Sequence, residues 1–343
     1  MIEKYQSKIE DGKLTIHKNP DLKGLNFINT LKINQLVLYD CQNIVPQLES
    51  QTIKELKIMD CDIQSVKDFQ LENLEILEVY NNFGKLESKT LTQDSFSTLS
   101  KMIGLTELVL MQCNLRSTEA LSQLINLENL YLNGNEEIDI KSLQYQTKLT
   151  KLSLEQCKLV NIDALRPLIN LEELCLNGND IDITTVQYLT KLTLLSLVYC
   201  NLVNIDVLRP LKKLKELDIT DNNIVYLRPL LELKQLFQLD TSYNKIIDTE
   251  SIQLHPNFDN FLLDDQDEPT QEQLEVANMM RDINNQISSL KQICIESSRI
   301  KEINKVFRKK ITQQLQVSYN SHEQFVARSA ILFQKINVFD GYQ

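Results

Sequence analysis

The amino-acid sequence predicts an α/β solenoid, in which short parallel strands alternate with short helical turns, followed by an α-helical tail. Three observations predict this fold class. A pattern of leucines recurs mostly every 20–22 residues over roughly residues 11–266, an Asn or Cys stands at a fixed place after most strands, and apolar residues spaced by three follow. With 42% hydrophobic residues in 343, the chain has enough apolar material for the long core that a solenoid needs.

The recurring pattern is L-x-x-L-x-L-x-x-(N/C)-x-(L/I), as from Leu149 to Leu159 and from Leu171 to Ile181. The two leucines of L-x-L point the same way from a strand, so stacked strands bury them together, while the residues between them face the other side. We call that other side of the sheet the concave face. Twelve units fit the pattern, and they begin at Asp11, Ile33, Ile53, Leu74, Leu105, Leu127, Leu149, Leu171, Leu192, Leu214, Leu236 and Phe258.

This pattern resembles the leucine-rich repeat superfamily, and its spacing is similar to the 22-residue subclass seen in bacterial internalins and in a regulatory subunit of type 1 protein phosphatase. The resemblance implies a parallel concave sheet, short 3₁₀ or single-turn helices on the convex side, and protein binding on the concave face. Leucines at every third residue, as from Leu159 to Leu171, suit such tight helices. Between Leu74 and Leu105 the spacing lengthens to 31 residues, which predicts a longer convex helix or a partner-docking element.

The Asn or Cys at the ninth place of each unit, the ladder position, is expected to be buried in the turn after the strand. A buried Asn amide can satisfy backbone groups that the turn leaves inside, and Cys serves as a small buried residue. The ladder residues are Asn19, Cys41, Cys61, Asn82, Cys113, Asn135, Cys157, Asn179, Cys200, Asn222 and Asn244, with Gln266 in the last unit. Cys175 instead lies between two core leucines and should face outward, as an ordinary surface position or as a reactive thiol.

An internal duplication indicates that the concave face is the functional surface. Residues 148–181 and 191–224 agree at 21 of 34 positions. The core positions stay apolar, whereas concave positions change in character, as where Cys175 corresponds to Asp218. Exposed positions drift in any protein, but exchanges between apolar, neutral and charged residues alter what a surface can bind.

The predicted concave residues fall into two zones. Exposed Tyr and Met on a rigid sheet are typical anchors for protein partners, and carboxylates favour a basic segment, although a merely solvated acidic face is the alternative. The N-terminal zone comprises Tyr39, Met59, Tyr80, Met111 and Tyr131, together with Val37, Ile76 and Val109. The acidic zone comprises Asp218, Asp221 and Asp240 with Tyr199 and Tyr243, and extends to Asp264 and Asp265.

Two domains are expected: residues 1–268 form the solenoid, and residues 269–343 form a helical tail. In the tail, apolar residues at spacings of three and four predict a long helix over about residues 270–318 and a second over about 321–338. The tail is either a hairpin that caps the solenoid or a coiled coil that forms a homodimer or joins a larger assembly.

Charge and motifs exclude several functions. A net charge of −11 disfavours nucleic acid as a partner. No stretch of 18 apolar residues could span a membrane, and no signal-peptide core occurs, so we expect no membrane association. The three histidines are far apart in sequence, and no phosphate-binding or nucleophile motif occurs, so we expect no enzyme, no metal and no cofactor. The cysteines show no disulfide framework, which favours a reducing, cytoplasmic location.

Three hypotheses of function remain from the sequence. The first is a non-catalytic scaffold that binds a protein partner on the concave face. The second is a structural component of a cytoskeletal or flagellar assembly, joined through the C-terminal coiled coil. A phosphatase regulatory subunit is the third, and it rests only on the resemblance in repeat length.

Overall fold

The computed structural model describes residues 8–17, 26–41, 48–60, 70–80 and 99–263, together with Gln266, Gln271 and Glu275. The chain divides into two units, Met1–Glu268 and Pro269–Gln343. Of the second unit only Gln271 and Glu275 are described, so the predicted tail helices and coiled coil lie outside the described residues. The same holds for most of the long segment between Leu74 and Leu105.

Thirteen strands form one sheet within the described residues, and their order in the sheet is their order in the chain. From β2 onward neighbouring strands are parallel and one strand lies in each of the twelve units. The strands are β1 Ile9–Glu10, β2 Lys13–His17, β3 Gln35–Tyr39, β4 Glu55–Met59, β5 Ile76–Tyr80, β6 Glu107–Met111, β7 Asn129–Tyr131, β8 Lys151–Ser153, β9 Glu173–Cys175, β10 Leu194–Ser196, β11 Glu216–Asp218, β12 Gln238–Asp240 and β13 Phe261–Leu262.

The first strand departs from the predicted all-parallel sheet. β1 pairs with β2 in the antiparallel sense through a turn at Asp11 and Gly12, whose φ angles are +48° and +77°. Asp-Gly is a favoured pair for a two-residue hairpin turn because both residues must adopt positive φ. Asp11 therefore belongs to a hairpin turn that leads into the first unit.

The core confirms the reading of the leucine pattern. Leucines of the L-x-L motif, such as Leu152 and Leu154, are buried and belong to one continuous apolar cluster that runs from Leu14 to Ile252. The units of β2 to β12 each bury the same two positions, the fourth and the sixth, so neighbouring units cover one another's core. The described residues thus form the predicted α/β solenoid of parallel strands and short helical turns.

Short helices follow the strands on the other side of the core, and their lengths alternate. Between residues 119 and 232, units with Cys at the ladder position are followed by three-residue 3₁₀ helices, and units with Asn by helices of five or six residues. Thr249–Ile252 forms a short α-helix. The 3₁₀ helices are Asn26–Thr30, Leu99–Lys101, Glu119–Leu121, Lys141–Tyr145, Asp163–Leu165, Ile183–Tyr188, Asp206–Leu208, Arg228–Glu232 and Phe258–Asn260.

The ladder asparagines each join two consecutive units. The side-chain oxygen of Asn179 accepts hydrogen bonds from the N–H groups of Cys157 and Leu159 in the preceding unit, at 3.2 and 2.9 Å. Its amide nitrogen donates to the carbonyls of Leu154 and Leu176, both at 2.8 Å. Asn135 and Asn222 make the same four contacts in their units. The ladder prediction is confirmed here, whereas Asn19, Cys61 and Asn82 lie outside the described residues.

The ladder cysteines make fewer hydrogen bonds than the ladder asparagines. The Cys157 thiol donates to the carbonyl of Leu132 in the preceding unit, at 3.3 Å, but sulfur is a weak acceptor and does not replace the amide oxygen of Asn. In the unit that precedes Cys157, a backbone hydrogen bond satisfies the turn instead. The N–H of Glu137, whose φ is +60°, donates to the carbonyl of Cys157 at 2.9 Å.

Ladder bonding and helix length together show that the structural unit is a pair of repeats, one with Cys and one with Asn. Cys113, Cys157 and Cys200 stand 44 and 43 residues apart, and each is followed by an Asn in the next unit. The duplication of residues 148–181 in 191–224 is one step of this pair. A further copy begins at Leu105, which the sequence analysis did not recognise.

Candidate functional site

Strand register places four of the predicted anchors side by side on the concave face. Tyr39, Met59, Tyr80 and Met111 occupy the seventh place of four consecutive units, and each is the direct partner of the next across β3, β4, β5 and β6. All four side chains are half-buried. We call this set the N-terminal row. Because each strand fixes its residue at one strand spacing from the next, the row is a continuous, ordered apolar strip.

The fifth place of the same strands is less accessible than the sequence suggested. Val37 and Val109 are only 8% and 3% exposed. They are therefore part of the packed sheet and cannot serve as anchors. Tyr131, in the same column as Val109 on β7, remains half-buried, and burial together with the charge of Glu107 raises the pKa of its phenol.

A half-buried ion cluster lies beside the N-terminal row on the same strands, and the sequence alone did not reveal it. Lys57 and Glu78 are register partners on β4 and β5, with Nζ and Oε1 2.7 Å apart, and Glu55 lies 3.0 Å from the same Nζ. Burial opposes the charge of Lys57, but the bonds to Glu78 and Glu55 outweigh it and raise its pKa. Lys57 and Glu78 stand at the fifth place of adjacent units, and these opposite charges at matching places were the signal available in the sequence.

This cluster also holds one anchor of the row. Burial, followed by the charge of Glu78 and a hydrogen bond to it, raises the pKa of the Tyr80 phenol. The Tyr80 ring is thus fixed at its hydroxyl end as well as by its strand, so that it loses little freedom when a partner binds.

The middle of the concave face is ordered by polar bonds between neighbouring strands. The side-chain oxygen of Asn133 accepts from the Ser153 hydroxyl at 2.7 Å, and Asn177 accepts from Ser196 at the same distance. The residue after Asn133 must be small, because a Cβ on Gly134 would lie 2.7 Å from Cγ of Gln112. These Asn-Gly-Asn segments are therefore structural turns of the sheet edge.

In the acidic zone, two carboxylates stand next to each other on adjacent strands. Asp218 on β11 and Asp240 on β12 are register partners, and both are half-buried. One oxygen of Asp218 accepts from the N–H and hydroxyl of Thr220, at 3.0 and 2.7 Å, and one oxygen of Asp240 accepts from the N–H of Ser242, at 3.0 Å. Like charges at this spacing repel, so the sheet tolerates a cost to keep them.

Three further residues of the acidic zone form a row where the strands end, which we call the rim row. Tyr199, Asp221 and Tyr243 occupy the eighth place of consecutive units, and all three have left-handed backbones with φ of +56°, +56° and +55°. Backbone bonds from Tyr199 N to Thr220 O and from Asp221 N to Ser242 O, both 3.0 Å, hold adjacent members together. Tyr199 is 68% exposed and Tyr243 53%.

The structure disfavours the alternative of a reactive thiol at Cys175. Its side chain is half-buried on β9, and burial, together with the charges of Glu155, Glu173 and Asp218, raises its pKa to about 11. At neutral pH the group is therefore a protonated thiol, which is a poor nucleophile.

Within the described part of the chain, no group of three or more His, Cys, Asp or Glu side chains is placed to hold a metal ion. No helix in that part combines the length and the apolar character that crossing a membrane requires.

The class of protein that these features define is a leucine-rich repeat solenoid with a patterned concave face. Among solved structures, an internalin (inlF) from Listeria monocytogenes is similar to it, with a TM-score of 0.57 and 21% sequence identity over 80% of this chain and 72% of that chain. An internalin C2 from the same organism gives a TM-score of 0.48 and 23% identity over 54% of this chain and 79% of that chain. No family model and no curated protein matches the sequence. The likeness to the first internalin is one of fold.

Proposed function

We propose that this protein is a non-catalytic scaffold that binds a protein partner on its concave face. The observation that carries the proposal is the N-terminal row, in which four large side chains, Tyr or Met, stand in register on four strands. Such residues dominate the buried centres of protein interfaces, where a few anchors supply most of the affinity.

The state of the titratable groups on this face also suits recognition. Lys57 is held by two carboxylates, and Cys175 is protonated at neutral pH. Neither is poised for proton transfer or nucleophilic attack, both of which need a pKa near the working pH. Rigid, half-buried side chains on a sheet are instead pre-organised for binding, since little freedom remains to be lost.

The thiols of Cys113, Cys157, Cys175 and Cys200 are free. Free thiols suit a reducing compartment, and we therefore propose that the protein acts in the cytoplasm. Dimerisation or assembly through residues 269–343 stays a prediction of the sequence.

The test is to capture the partner with the full chain and then to measure its dissociation constant for single variants. Tyr80→Ala, Met111→Ala and Tyr131→Ala should each weaken binding by about 30-fold if the residue is an anchor. The loss should change little with salt, because these contacts are apolar.

Matched controls lie on the other side of the solenoid. Val160→Ala and Tyr145→Ala remove exposed side chains from the convex surface and should leave the dissociation constant unchanged. Arg166 is unsuitable as a control, because its guanidinium packs 4.2 Å from the ring centre of Tyr188. Equal losses in the convex and concave variants, with all of them folded, would show that the concave face is not the binding surface.

A further inference from the structure

We propose that the rim row binds a cationic side chain, arginine in preference to lysine, from a basic segment of the partner. This rests on the proposed function and specifies what the acidic zone recognises. Two Tyr rings would flank the cation while Asp221 faces its charge.

The spacing of the row fits a guanidinium between two rings. Tyr199 and Tyr243 stand two units apart, which at a strand spacing of about 4.8 Å separates their backbones by roughly 9.6 Å. The chain shows how closely such groups pack, since the Arg166 guanidinium lies 4.2 Å from the Tyr188 ring centre. A planar cation midway between Tyr199 and Tyr243 would thus lie at about the right distance from both rings.

The charge of this part of the sheet is complementary to such an occupant. The concave positions of the units that contain β10, β11 and β12 include four carboxylates, Glu216, Asp218, Asp221 and Asp240, and no Lys or Arg. Elsewhere on the face, some acidic residues are paired with basic ones, as are Lys151 and Glu173, 2.8 Å apart. An arriving cation would supply the missing positive charge, and it would be attracted from a distance.

The backbone sets how these rings are presented. The eighth place has positive φ wherever the structure describes it between Asp40 and Tyr243, and Gly134 and Gly178 fill it in two units at φ of +71° and +70°, with Asp, Gln or Tyr in the others. The conformation is therefore a property of the repeat. It places both Tyr side chains at the same point of their units, where both are exposed.

The experiment uses the full chain and two labelled probes, a hexa-arginine peptide and a hexa-lysine peptide, titrated at two salt concentrations. Wild type should bind hexa-arginine more tightly, because guanidinium stacks on aromatic faces and ammonium does so less well. Tyr199→Gly and Tyr243→Gly should each weaken hexa-arginine binding about fivefold or more and reduce the preference for arginine. Since Gly already occupies this position in two units, both variants are compatible with the native backbone.

Three further variants separate the contributions. Asp221→Asn should weaken both peptides alike and reduce the dependence on salt, while the preference for arginine remains. Tyr145→Leu and Glu119→Gln, which change an exposed ring and an exposed carboxylate on the convex side, should alter neither affinity. If the Gly variants bind both peptides as wild type does, or if wild type binds neither, the proposed arginine site at the rim row is overturned.

Failure of the arginine site and failure of the proposed function give different results. If the rim-row variants do not change peptide affinity but Tyr80→Ala and Met111→Ala still weaken partner binding, only the arginine site is wrong. If no concave variant changes the affinity for the partner, the proposed function is wrong, whether or not the peptides bind.

Discussion

Asn179 holds four backbone groups of two units that would otherwise be buried without hydrogen-bond partners. Cys157, at the same place one unit earlier, donates a single bond to the unit before it. The two ladder residues are alike in burial but differ in what they can bond, since an amide offers two donors and an acceptor and a thiol offers one weak donor. The difference should be measurable.

Replacing Asn179 by Leu should lower the free energy of unfolding by about 2 kcal/mol or more, because two N–H groups and two carbonyls lose their partner. The measurement is the denaturant midpoint. The matched control is Asn170→Leu, which removes a half-buried Asn whose amide donates to the carbonyl of Thr147 in a solvent-exposed bond. The control should cost little, because water can replace its bond. An unchanged midpoint for the Asn179 variant would show that the ladder bonds do not stabilise the solenoid.

At the scale of elements, the last units are joined by a buried histidine between the helix Thr249–Ile252 and β13. His255 donates from Nε2 to the carbonyl of Leu233 at 3.0 Å, and its Nδ1 accepts from the N–H of Asn257 at 3.2 Å. The ring also lies 4.9 Å from that of Phe261. This arrangement uses the neutral imidazole, and burial, with a smaller effect from Lys234, lowers the pKa of His255 below its ordinary value of 6.5.

A lowered pKa in the fold predicts how stability depends on pH. Above the unfolded value of about 6.5 the neutral ring is present in both states, so its contribution is complete there. As the pH falls below that value, the unfolded chain takes up a proton before the folded chain does, and stability is lost. Denaturant midpoints between about pH 7.5 and 5.5 should therefore decline in wild type. The decline should be shallower in His255→Gln, and identical slopes would contradict the assignment.

At the scale of the whole solenoid, the Cys and Asn units are not interchangeable, because the Asn of one unit holds the turn of the unit before it. Where two Asn units follow each other, the bonding still works: Asn244 accepts from the N–H of Ile224, at 3.0 Å. Removing an Asn unit after a Cys unit, however, leaves the N–H groups of Cys157 and Leu159 without their acceptor.

Two deletions of nearly equal size test this asymmetry. Deleting residues 171–191 removes an Asn unit, and deleting residues 149–170 removes a Cys unit. The first protein should be less stable than the second by about 2 kcal/mol, since two buried N–H groups are left unsatisfied. Chemical unfolding of both proteins, compared with wild type, gives the difference. Equal stabilities would mean that the ladder does not couple the units.

The sequence by itself determined the fold class, the position of each strand from β2 onward, the leucine core and the ladder, because the spacing of a unit repeats twelve times. It also assigned residues to the concave side of each strand, since the alternation of a strand decides which way a side chain points. The alternation of a strand does not determine which neighbouring side chains a concave residue contacts.

Only the tertiary structure decided what depends on contacts between units about 22 residues apart. It buried Val37 and Val109, joined Lys57 to Glu78, and put the rings of Tyr199 and Tyr243 on left-handed backbones at the rim. The physical reason is that the leucine pattern fixes each unit from local spacing, whereas burial, ion pairing and turn conformation arise from the side chains of the adjacent unit. These are the properties that turn a repeated scaffold into a particular surface.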